Sequence, residues 1–201
     1  MYRGNSSRIV PIVLVLIVVA IAIAALVSVG RSIFGGDGGQ PEASQVDTGR
    51  QALRNTAIDR SVRMTIRGPI VADEQFRSYQ VVVNSSSRSL TTYSGYLDQP
   101  LENKQYSNND RAYEEFVYAL DKANMMNGTS LTGDQNDIRG VCATGIVYEF
   151  EVLQNNTSTK RLWTSTCKGS PGSFEASISQ VGNLFLEQIP DQQTLLRNID
   201  L

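Results

Sequence analysis

Residues 145–167 read GIVYEFEVLQNNTSTKRLWTSTC. Ile146, Tyr148, Phe150 and Val152 alternate with Val147, Glu149 and Glu151, the two-residue period of a half-buried strand. Asn155-Asn156 is turn-prone, and a second strand is expected from Lys160 to Thr166. The two strands form a hairpin, which brings Cys142 and Cys167 together at its open end. Strand parity extended outward puts Cys142 on the face of Ile146 and Tyr148, and Cys167 on that of Trp163. A disulfide between them is therefore expected.

Upstream, Val62, Met64 and Ile66 alternate with Arg63, Thr65 and Arg67 until Gly68-Pro69 ends the pattern. Tyr79, Val81 and Val83 mark a strand over Arg77–Val83, and another is expected over Leu90–Leu97, joined by a loop at Asn84–Arg88. From Asp110 the period changes. Tyr113, Phe116, Val117, Leu120 and Ala123 recur at three- and four-residue intervals, with N-cap candidates at Ser107–Asn109 and a stop at Asn127-Gly128. Phe174, Ile178, Val181 and Phe185 predict a last helix before Pro190, Leu195, Leu196 and Ile199 tack down the C-terminal end, and a short helix is expected over Asp47–Asn55. Short turns between strands and helices in separate blocks predict an α+β domain: an antiparallel sheet of about five strands with two helices packed on one face.

From Ile9 to Val29 every residue except Pro11 and Ser28 is Ile, Val, Leu or Ala. That run is long enough to span a bilayer, and Arg3 and Arg8 before it set the orientation. The expected layout is a cytoplasmic flank at 1–8, a transmembrane helix at 9–30, a flexible Gly-rich linker at 31–46 and an extracytoplasmic domain at 47–201. A cleaved signal peptide has a shorter apolar region. Single-pass anchoring in the cell membrane would place both cysteines where a disulfide persists.

Composition excludes more than it assigns. The 201 residues contain no histidine, which removes imidazole bases and His-based zinc, copper and non-haem iron sites. Two cysteines are too few for a structural zinc cluster. The net charge is -2, and without Arg3 and Arg8 the rest carries 16 basic against 20 acidic residues, no footprint for nucleic acid. No cofactor, metal or nucleic-acid partner is expected.

Four constellations are candidate sites. Glu149 and Glu151 share a strand face and match the carboxylate pair of glycosidases, but a solvated outer face with Lys160 almost opposite Glu149 accounts for them. Asp134, Asn136 and Asp137 offer oxygen ligands for calcium, yet Ile138 and Arg139 stand where the calcium-loop pattern needs a further ligand and a glycine. Turn chemistry explains them. Arg63 and Arg67 can hold an anion or keep a strand edge soluble. A Ser/Lys dyad like that of the signal peptidases lacks their paired motifs here.

The run Leu162–Cys167 resembles the strand end that carries the cysteine of sortases. That resemblance implies a Cys167 nucleophile working with a histidine and an arginine, and this chain has no histidine. Type IV pilins share an apolar start, but not the four glycines between Gly35 and Gly39. The overall layout resembles uncharacterised signal-anchored exported proteins of bacteria, a resemblance that implies no activity. The expectation is a non-enzymatic binding or structural module of the cell envelope with a protein or envelope-polymer partner. The alternatives are an anchored hydrolase using carboxylates or a Ser/Lys pair, and a pilin-like or secretion-system subunit.

Overall fold

The computed structural model describes residues 48–197, Ile199 and Leu201. The expected flank, transmembrane helix and linker lie outside the described residues. Among the described residues no helix is long and apolar enough to cross a membrane. The described residues form one compact unit.

The elements are α1 (Thr48–Arg54), β1 (Arg60–Arg67), β2 (Arg77–Asn84), β3 (Ser87–Ser94), β4 (Gln99–Ser107), α2 (Asp110–Lys122), β5 (Val147–Gln154), β6 (Thr157–Ser165), α3 (Ile178–Leu186) and α4 (Gln192–Leu196). All strand pairs are antiparallel, in the order β4-β3-β2-β1-β5-β6. The class is α+β, with six strands rather than about five. β4 escaped the sequence reading because its side chains are exposed except at Tyr106, so nothing imposes an apolar period. For the same reason β3 starts earlier than Leu90, and the connection from β2 shrinks to Ser85-Ser86.

The alternating apolar residues meet on one face. Met64 on β1 pairs with Val81 on β2 and Phe150 on β5, and Phe150 with Leu162 on β6; all four are fully or almost fully buried. α2 lays Tyr113, Phe116, Val117 and Leu120 on this layer, and α3 adds Val181 and Phe185. Phe185 packs edge-on against Phe116 at 5.3 Å between ring centroids, the arrangement aromatic quadrupoles favour. α1 joins through buried Leu53 and α4 through Leu195, so four of the described helices share the core where two were expected.

The ends of α2 follow capping chemistry. Asn109 Oδ1 accepts the Ala112 N–H at 3.0 Å. The helix stops at Lys122, short of Asn127-Gly128, because Asn124 takes a left-handed φ of 58°. Phe174 lies outside α3, in a bridge to Gly128. In the β5–β6 hairpin Asn155 and Asn156 have φ of 50° and 62°, as a primed two-residue turn requires. A bulge beyond Leu153 then shifts the register, so Lys160 opposes Val152 and Glu149 opposes Trp163. The expected Lys160–Glu149 pair is not formed.

Candidate functional site

The strand ends Arg67, Arg77, Ser94, Val147 and Ser165 come together at one end of the sheet, and the disulfide lies there. Cys142 and Cys167 are bonded, with Cα atoms 5.4 Å apart. Both sit in loops beyond the strands, so the parity expected from the hairpin does not reach them. Thr166 Oγ1 accepts the Ile146 N–H at 2.9 Å. Gly145 passes so close that a Cβ there would lie 2.2 Å from Thr166 Oγ1 and 2.8 Å from Cys142 Sγ. A glycine is therefore part of the disulfide's seat.

Beside Cys142 opens a cleft of ≈ 500 Å³ lined mainly by Ile70, Phe76, Tyr96, Ile138, Val141 and Val147, with Arg67 and Arg139 also on its wall. Its walls are tied together. The Ile70 N–H donates to the Ala143 carbonyl at 2.9 Å. Tyr96 stacks on Phe76 at 4.2 Å, and its hydroxyl donates to the Val71 carbonyl at 2.7 Å while accepting the Val71 N–H at 3.0 Å. The Tyr96 N–H donates to Asp73 Oδ1 at 2.8 Å. Ile70 is nevertheless 47% exposed, Tyr96 45% and Leu97 84%. The result is an apolar rim on a braced frame.

The strand expected over Leu90–Leu97 ends at Ser94, which leaves Tyr96 and Leu97 in the turn before β4, and Ile70-Val71 lie in the connection after β1. The available signal was apolar residues placed in turns, where no core face asks for them.

Glu149 and Glu151 do share the outer sheet face, but it is not solvated: they are 6% and 5% exposed. Arg63 Nε donates to Glu151 Oε2 at 2.6 Å, Arg67 Nε to Glu149 Oε1 at 3.0 Å, and Arg161 Nε lies 2.8 Å from Glu149 Oε2. Burial works against the Arg67 cation, but Glu149 and then Asp98 more than offset it and hold the guanidinium above its ordinary pKa. β1 is an interior strand, so Arg63 and Arg67 protect no edge; they neutralise the two acids. Each glutamate faces guanidinium rather than the second carboxylate that glycosidase chemistry pairs it with.

The Asp134–Asp137 segment is a single 3-10 turn, Gly133–Asn136, followed by Asp137. Arg139 Nε contacts both Asp137 oxygens, at 3.0 and 2.8 Å, and the Arg139 N–H adds a third bond at 3.0 Å. The carboxylate is thus engaged, and among the described residues no three of His, Cys, Asp and Glu gather as metal ligands.

Ser130 and Lys160 do meet: Lys160 Nζ donates to Ser130 Oγ on exposed surface. Neither lines the disulfide-end cleft. A second hollow of ≈ 540 Å³ lies under α3 between Tyr79, Tyr148, Ile178 and Leu186. Burial raises the pKa of both tyrosines, so neither phenol is poised to give up its proton near neutrality.

Neither a protein-family model nor a curated protein matches the chain.

Proposed function

We propose that the chain is a membrane-anchored, extracytoplasmic binding module of the cell envelope, not an enzyme, and that it seats an apolar side chain of a protein partner in the cleft beside Cys142. The observation that carries this reading is exposed Ile70 and Tyr96 on the cleft wall, each followed in sequence by another exposed apolar residue, Val71 and Leu97, on hydrogen-bonded loops. Aromatic residues and arginine around an apolar centre are the composition of protein interfaces, and a braced frame loses little conformational entropy on binding. The layout of an apolar span, a glycine tether and a disulfide supports display outside the cytoplasm.

The test is a photo-crosslinking amino acid at Leu97 in the full chain in intact cells, with Ile58, 90% exposed, as the control position. One discrete adduct at Leu97, absent at Ile58 and abolished by Ile138→Asp, is expected. Adducts equal at the two positions, or none at Leu97, would refute it. Alkylation that labels both sulfurs of the unreduced protein would overturn the placement outside the cytoplasm.

The anchored-hydrolase reading rests on the Ser130–Lys160 contact. An active dyad needs a desolvated amine and a pocket for the reacting carbonyl, and this pair is exposed. The pilin-like or secretion-system reading requires processing near Gly30, which the intact mass of the membrane-extracted chain decides.

A further inference from the structure

The charged residues of β2, β3 and β4 are Arg77, Arg88, Glu102 and Lys104. All share the helix-side face with Tyr79, Val83, Leu90 and Thr92 by strand register. The outer face of the same three strands carries no charged residue. Its cross-strand rows set Ser89 beside Gln105, and Gln80 beside Thr91 beside Asn103, with Tyr93 two residues on from Thr91. Asn103 and Gln105 are exposed, and the other four are partly exposed. The adjoining half of this face, on β1, β5 and β6, holds the Arg63, Arg67, Arg161, Glu149 and Glu151 network. Charge is therefore confined to one half of the outer face. Water alone does not ask for that, since exposed strand positions accept Lys, Glu and Arg readily.

Two of the amides are already oriented. Gln80 Nε2 donates to Thr65 Oγ1 at 3.2 Å and Asn103 Nδ2 to Thr91 Oγ1 at 2.5 Å. Each keeps a second N–H and a carbonyl oxygen without a partner among the described residues. We infer that this uncharged half-face is a binding platform for a neutral, polyhydroxylated chain, a polysaccharide. Glycan hydroxyls trade water for amide and hydroxyl partners nearly one for one. A charged ligand would lose hydration against a face with no counter-charge. Tyr93 adds a ring with an apolar face and a polar tip. A protein partner matches less well, because protein interfaces are depleted in serine and enriched in Arg and aromatics, a composition this molecule carries at the cleft instead. No residue of the platform lines the cleft, so the two readings stand or fall separately.

The test is co-sedimentation of the full chain in detergent micelles with insoluble chitin, cellulose and cross-linked dextran, and with calcium-gelled polygalacturonate as the polyanion. Retention on at least one neutral polymer, reversed by its soluble oligosaccharide, is expected. Asn103→Lys and Gln105→Lys should each weaken retention about tenfold, the scale of one or two lost hydrogen bonds. Both sites are exposed on an edge strand, where lysine is well tolerated, and unchanged Trp163 emission verifies the fold. Ile138→Asp, in the cleft, should leave retention intact. No retention on any neutral polymer, equal or stronger retention on polygalacturonate, or indifference to both lysine variants overturns the inference.

Discussion

Arg67 on β1 reaches diagonally across to Glu149 on the paired strand β5, Nε to Oε1 at 3.0 Å, while Arg161 on β6 takes the other carboxylate oxygen at 2.8 Å. One buried acid thus joins three strands whose residues are up to 94 positions apart in the chain. The arrangement explains why the outer face tolerates two buried glutamates: a buried carboxylate is stable only when paired and hydrogen-bonded.

Glu149→Gln should destabilise the domain by about 2–3 kcal/mol, below the full penalty for a buried pair because both arginines are partly exposed. Arg67→Ala should cost less, since Arg161 still holds the acid. Urea unfolding followed by the emission of Trp163, the single tryptophan, measures both. A smaller loss for Glu149→Gln than for Arg67→Ala would contradict the central role of the glutamate.

Gly145→Ala should lower stability by about 1–3 kcal/mol, the usual penalty for overpacking, because the new methyl meets Thr166 Oγ1 and Cys142 Sγ. Removing the disulfide itself, as Cys142→Ala with Cys167→Ala, should cost about 3.5 kcal/mol on the loop-entropy model. In that double variant Gly145→Ala should cost less, since one of the two obstructing atoms is gone. Additive losses in the cycle would mean that Gly145 does not act through the disulfide.

Most of the fold was legible where burial imposed a period. Val62, Met64 and Ile66, Tyr79, Val81 and Val83, and the stripe from Tyr113 to Leu120 all announced their faces, and the core assembles from them. β4 left no such trace because it buries almost nothing. The register of β5 against β6 was illegible beyond Leu153, since a bulge depends on tertiary packing rather than on the Asn155-Asn156 turn. The cysteine pair was readable from spacing. The partners of Glu149 and Glu151 were not, because β1 and β5 pair across more than 80 residues and no local pattern encodes that choice.

Asp137 should titrate near pH 2, well below its ordinary value of 3.8, because the Arg139 side chain and N–H both bond its ionised form. The folded pKa is depressed, so whatever this contact contributes is present above about pH 4 and disappears as pH falls from 3.8 through about 2. Carboxyl-carbon NMR checks the midpoint, and Arg139→Ala should return it toward 3.8. A midpoint unchanged by Arg139→Ala would show that the pair does not persist in solution.

α1 has only seven residues, too few to hold a helix alone. Asp121 on α2, 4% exposed, is 3.0 Å from Arg50 Nε and 2.6 Å from Arg54 Nη2. Asp121→Asn should therefore raise amide exchange selectively over 48–54 and cost about 1–3 kcal/mol, the loss of charge-assisted bonds. Uniform acceleration across the sheet would instead mark Asp121 as part of the global core.

Ser130 and Lys160 give the sharpest check on the non-enzymatic reading. Their contact satisfies one geometric demand of a serine hydrolase, but the pair is exposed; nucleophile activation relies on a low-dielectric site, where an amine gives up its charge and an oxyanion is stabilised. A fluorophosphonate probe should therefore leave Ser130 unmodified in the full chain, with Ser130→Ala giving the same background by mass spectrometry. Stoichiometric labelling at Ser130, lost in Lys160→Met, would replace the binding module with an anchored hydrolase.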